Sequence, residues 1–209
     1  MPLDGPARVL VTYASRMGST AEIGEAIAER LRAAGLDVTI VPVGQAPEPE
    51  GFDAVVCGSA IYATRWDKAA RHYIRQHRQA LAERPTWLFE SGPCGDSAGQ
   101  RHQTSPSVLR LAEDIGSSPP QVFGGNLDPA SAKTRIARWL ASSDLAGDYR
   151  NWDQILDWAD GIGRQVAERA AGCGAAPLGS GRVHRTAASG ILRCSENLST
   201  GVTVAPTPS

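Results

Sequence analysis

The chain has 209 residues, 42% of them hydrophobic and 21% charged, which is ordinary globular usage and enough for one domain with a full core. That balance excludes a collagen-like, wholly disordered or disulfide-scaffold chain. With 21 basic and 22 acidic residues the formal net charge is −1, which argues against a nucleic-acid binder, since such a chain carries a basic excess.

The N-terminus, Met1 to Ala7, is polar and proline-bearing and lacks the basic-then-apolar run of a signal peptide. No apolar stretch reaches transmembrane length, so a cytoplasmic protein is expected. The first strand is predicted over Arg8–Tyr13, a continuous apolar run of the kind buried on both faces. A helix follows over Thr20–Ala34, with Ile23, Ile27, Leu31 and Ala34 on one face and Gly35 as its stop. Strands two and three are predicted over Asp37–Val41 and Asp53–Ser59, and a second helix over Asp67–Glu83, with Ala70, Tyr73, Ile74, His77 and Leu81 inward.

Pro85–Phe89 reads as the fourth strand, Pro106–Ile115 as a helix and Gln121–Phe123 as a short fifth strand. A last helix spans Trp152–Ala170, with Trp152, Ile155, Leu156, Ala159, Ile162 and Val166 inward. Strands alternating with helices give a doubly wound α/β fold, a parallel sheet covered on both faces. The domain is expected over residues 1–171. From 172 to 209 the periodicity is lost and Gly, Ser, Thr and Pro dominate, which reads as a disordered tail.

Cys57, Cys94, Cys173 and Cys194 form no Cys-x-x-Cys pair, and the four histidines are scattered, so no metal site is expected. Cys57 lies in an apolar run and reads as a buried small hydrophobe, whereas Cys94, in a glycine-rich loop, reads as a residue that shapes a turn, with a reactive thiol as the alternative.

In an open α/β sheet, ligands bind outside the carboxyl ends of the strands, where the strand order reverses. The loop after strand one runs Thr12-Tyr-Ala-Ser-Arg-Met-Gly-Ser-Thr20 straight into a helix start. Its hydroxyls, the free amides of the helix and the helix dipole together favour a phosphate. A plain helix cap by Ser19 or Thr20 is the bland alternative. Neither a P-loop nor a Gly-x-Gly-x-x-Gly turn occurs. A hydroxyl-rich, glycine-poor loop suits a monophosphate better than a pyrophosphate, which points to FMN over FAD or NAD.

Ser15-Arg-Met-Gly-Ser-Thr20 opening a helix resembles the Ser/Thr-x-x-Gly-x-Thr phosphate loop of flavodoxins. Gly58–Tyr62, Arg65–Lys68 and Ser91–Gly95 resemble the flavodoxin-domain branch that includes the menaquinone-dependent protoporphyrinogen oxidases. The resemblance covers about Arg8 to Ala170 and implies a flavodoxin-like, three-layer, five-stranded parallel sheet in the order 2-1-3-4-5. It also implies that Ser15, Arg16, Met17, Gly18, Ser19 and Thr20 hold the FMN phosphate. Ala60, Ile61, Tyr62, Gly92, Pro93, Cys94 and Gly95 would border the isoalloxazine, with Tyr62 or Trp66 stacking on it or merely capping the core. Arg16 departs from the small residues commoner at its position.

The flavin would carry the redox chemistry, so no general base or nucleophile is expected. Three functions stay open. The first is a protoporphyrinogen oxidase of haem biosynthesis with a quinone acceptor. The second is an electron carrier or NAD(P)H quinone reductase, and the third is a flavodoxin-shaped binding module without catalysis. Carriers are strongly acidic because they dock through long-range charge, and this chain is not. Residues 132–140 place Ile136, Trp139 and Leu140 beside Lys133, Arg135 and Arg138, a pattern that can rest on a membrane surface where quinones reside. An ordinary surface helix is the alternative for that segment.

Overall fold

Five apolar runs can hide both of their faces only by pairing edge to edge between two layers of helices. The computed structural model describes residues 5–62, 65–92, 104–127 and 147–174. In chain order the elements are β1 (Arg8–Ala14), α1 (Ser19–Ala33), β2 (Asp37–Pro42), β3 (Ala54–Tyr62), β4 (Arg65–Trp66), α2 (Lys68–Gln76) and α3 (Arg78–Ala82). There follow β5 (Thr86–Ser91), α4 (Pro106–Asp114), β6 (Gln121–Phe123), β7 (Asn126–Leu127), β8 (Gly147–Asp148) and α5 (Trp152–Gly174).

The parallel strands lie in the order β2-β1-β3-β5-β6, which is the expected 2-1-3-4-5 once the two-residue β4 is set aside. β4 folds back antiparallel on the end of β3, pairing Ile61 with Trp66 and Tyr62 with Arg65. β7 and β8 form a small antiparallel pair that the sequence pattern did not reveal.

Side-chain alternation divides the core. Val9, Val11, Val56 and Phe89 pack toward Ile23, Ile27 and Leu31 of α1 and Ile155, Ala159, Ile162 and Val166 of α5. Leu10, Val55, Cys57 and Leu88 pack toward Ala70, Tyr73 and Ile74 of α2 and Val108 and Leu111 of α4. The two outer helices of the first layer are clamped by Arg30, whose guanidinium meets both carboxylate oxygens of Asp160 at 2.7 Å. Gly35, at φ +85, ends α1 as expected.

Several local readings change. The second helix breaks at His77, which caps α2 and precedes α3. Ala34 is exposed rather than inward. Trp152 is 39% exposed, with the Arg150 guanidinium 4.6 Å over its ring. Trp158 takes the inward place instead, meeting Phe89 and Phe123 edge-on at 6.1 and 5.5 Å. Strand three runs on through Tyr62, so Ala60, Ile61 and Tyr62 stand on a strand rather than in a loop. The last helix extends past Ala170 to Gly174. Among the described residues no helix is long and apolar enough to cross a membrane.

Two substitutions test this packing. A Cβ at Gly58 would fall inside the buried Phe89 ring, so Gly58→Ala should cost at least about 1–3 kcal/mol, read from urea unfolding. Thr12 alternates onto the α2 face with Leu10 and Ala14, is fully buried, and its hydroxyl has no partner among the described residues. Thr12→Val should therefore hold or raise stability, by up to about 1–3 kcal/mol, since it removes an unsatisfied buried group. A clear loss of stability would mean that the hydroxyl is bonded.

Candidate functional site

At the carboxyl edge of the sheet the chain turns from β1 into α1 through Ser15–Gly18. The amide of Gly18 donates to Ser15 Oγ at 3.1 Å, and Gly18 itself sits at φ +97. A Cβ there would meet only Glu22 Oε1, at 3.7 Å. Space is therefore not what calls for glycine; the backbone conformation is. The first helical bond runs from the Glu22 amide to the Gly18 carbonyl at 3.0 Å, so the amides of Ser19, Thr20 and Ala21 stand ahead of it at the positive end of the helix dipole. Glu22, the acidic residue of this first turn, is neutralised by Arg150, which also pairs with Asp148 at 2.6 Å. This donor set suits an anion such as a phosphate.

The hydroxyls expected around that anion also stitch the site together. Ser19 Oγ accepts the Asn126 amide at 3.0 Å and keeps its own proton to donate. Thr20 Oγ1 and Ser91 Oγ are buried and 2.7 Å apart, joining the start of α1 to the end of β5. Thr12, facing the opposite layer, leaves this group.

Arg16 carries a different contact from the one expected. Its amide donates to Tyr62 Oη at 3.1 Å, its guanidinium lies 4.8 Å from the centre of the Tyr62 ring, and its Nε meets Asp67 at 2.7 Å. Tyr62 is half-buried at the end of β3, with one ring face covered by Arg16. Asp67 caps α2 by accepting the Ala69 amide at 2.9 Å, and its own amide donates to Ser59 Oγ at 2.9 Å. Partial burial pushes the Asp67 carboxyl up, but the Ala69 amide and the Arg16 guanidinium outweigh that and hold it below the usual carboxylate range. The tie to Arg16 is thus present at neutral pH and is lost as pH falls through that lowered pKa.

Ile61 and Gly92 bring the ends of β3 and β5 together, a Cβ on Gly92 falling 3.0 Å from Ile61 Cβ. Ser15–Thr20, Ile61, Tyr62 and Gly92 therefore share one edge, whereas Pro93, Cys94, Gly95 and the basic segment 132–140 lie outside the described residues. Trp66 is 2% exposed and packs in the core. Burial pushes the Cys57 thiol up to about 12, as befits a small hydrophobe.

Sequence reasoning missed Glu90, 1% exposed, on the same strand face as Leu88. Its Oε2 accepts the Trp66 indole N–H at 2.7 Å and its Oε1 accepts the Thr104 hydroxyl at 2.6 Å. The available signal was a carboxylate set directly after three apolar strand residues, Trp87, Leu88 and Phe89. Glu48, Glu50 and His77 bring ligand-type atoms within 4.8 Å of one another, but at the opposite, amino edge of the sheet, where His77 Nδ1 pairs with Glu48 at 3.0 Å.

Comparison with known proteins agrees with this geometry. A quinone-linked protoporphyrinogen IX dehydrogenase of Escherichia coli strain K12 is 27% identical over 84 residues, 39% of this chain and 46% of that protein. The chain thus spans about half the length of the curated relatives it matches. Among solved structures, the rubredoxin:oxygen oxidoreductase of Desulfovibrio gigas aligns with 80% of this chain and 38% of its own, at TM-score 0.55 and 16% identity. An archaeal flavodoxin aligns with 78% of this chain and 99% of its own, at TM-score 0.50 and 16% identity. These two are likenesses of fold. Residues 10–131, more than half of the chain, match the flavodoxin domain family. With that match resting on a sheet of this order and an anion-ready turn after β1, the chain belongs to the flavodoxin domain family, and its cofactor is FMN.

Proposed function

We propose that the protein is an FMN-dependent oxidoreductase that oxidises protoporphyrinogen and passes the electrons to a quinone, a step of haem biosynthesis. The observation that carries this reading is the 27% match to the quinone-linked protoporphyrinogen IX dehydrogenase. The near-neutral charge supports it over a carrier that docks electrostatically. The intact phosphate turn supports it over a binding module without flavin.

Bound here, FMN supplies the two-electron chemistry, and the chain supplies grip and orientation. The amides of Ser19, Thr20 and Ala21, with the Ser15, Ser19 and Thr20 hydroxyls, hold the phosphate, and Met17 and Gly18 shape the turn. Arg16 braces the turn against Tyr62 and Asp67 rather than gripping the phosphate itself. Ala60, Ile61 and Tyr62 border the isoalloxazine on one side, and Gly92, Pro93, Cys94 and Gly95 on the other. The basic and apolar residues of 132–140 would bring the protein to a membrane surface, where the quinone is dissolved.

The deciding assay gives the FMN-loaded protein protoporphyrinogen IX or NADPH under anaerobic conditions, with menaquinone present, and follows flavin absorbance. Reduction by the porphyrinogen is expected. Reduction by NADPH alone would make the protein a quinone reductase, and reduction by neither would remove the oxidase reading. The turn is tested by Gly18→Ala, which forces a side chain into a left-handed backbone at a cost of roughly 1–2 kcal/mol. Fluorescence titration should show FMN affinity about tenfold weaker, with the circular-dichroism spectrum unchanged. Unaltered affinity would displace the phosphate from this turn.

A further inference from the structure

We propose that Glu90 is a positioning residue of the FMN site, one buried carboxylate that holds β4 against the end of β3 and fixes the entry to α4. This rests on the FMN site proposed above.

A carboxylate in a core is disfavoured unless its oxygens are bonded, and an apolar residue on this face would have packed beside Leu88 without that demand. Donors to Glu90 come from separate segments. Trp66 Nε1–H, a group that only donates, takes one oxygen at 2.7 Å, and Thr104 takes the other at 2.6 Å. Both oxygens thus find a partner.

What these donors control lies at the site. Trp66 is the ladder partner of Ile61, and Arg65 that of Tyr62, so holding the indole fixes the strand end proposed to border the flavin. Asp67, the next residue, caps α2, takes the Arg16 guanidinium and so reaches the phosphate turn. Thr104 stands directly before Ser105, the N-cap of α4. Ser59, opposite Glu90 in the ladder, accepts the Asp67 amide from the same side. A single buried carboxyl group therefore anchors β4, the α2 cap and the start of α4 behind the residues that meet the cofactor.

Three variants separate this role from simple core filling. Glu90→Gln can keep both bonds, its carbonyl taking the indole and its amide donating to Thr104 Oγ1, while removing the charge. It should keep FMN affinity. Trp66→Phe and Thr104→Val each remove one donor and should weaken FMN binding about tenfold. In the apoprotein, Trp66→Phe should also speed hydrogen exchange at the Ile61 and Tyr62 amides.

The inference is overturned if Trp66→Phe and Thr104→Val bind FMN as the wild type does. If Glu90→Gln does not fold, the two donor variants decide by affinity and exchange. A wild-type protein that takes up no FMN would fail the site reading itself. Wild-type uptake with unchanged variants would fail only the role given to Glu90.

Discussion

Burial of both sheet faces is the constraint on which the rest of this structure depends. Once α1 and α5 cover one side and α2 and α4 the other, the central strands β1, β3 and β5 have little solvent face left for chemistry. Polar function is pushed to the carboxyl edge, where strands end and the first amides of α1 stand unpaired by the helix. The same constraint fixes Gly58, because the Phe89 ring occupies the place where its side chain would lie. It also makes the few buried polar groups near that edge conspicuous: Ser59, Thr20, Ser91 and Glu90.

Those groups convert separate loops into one rigid edge. Thr20 with Ser91 ties α1 to β5, Ser19 with Asn126 ties it to β7, and Arg16 with Tyr62 and Asp67 ties the turn to β3 and α2. Each tie is short and joins residues far apart in sequence, so the turn after β1 is held from three sides. Such preorganisation lowers the ordering cost of binding a flexible cofactor.

Charges at the edge are tied to one another: among the described residues Glu22 and Asp148 share Arg150, and Arg16 meets Asp67. The chain is near neutrality overall, which supplies little long-range steering.

The sequence by itself determined the five apolar strands, their alternation with helices, the stop at Gly35 and the hydroxyl-rich turn at Ser15–Thr20. Each of these is written in local periodicity or local backbone chemistry. The tertiary structure alone decided what depends on partners distant in the chain. It set Trp158 rather than Trp152 inward, because the Phe89–Phe123 pair offers a surface on one side of α5 only. It turned Arg16 onto Tyr62 and Asp67, some fifty residues away, and carried Thr12 to the far layer by the pleat of β1. It also gave Glu90 its role, since a carboxylate in an apolar run looks misplaced until Trp66 and Thr104 close on its two oxygens.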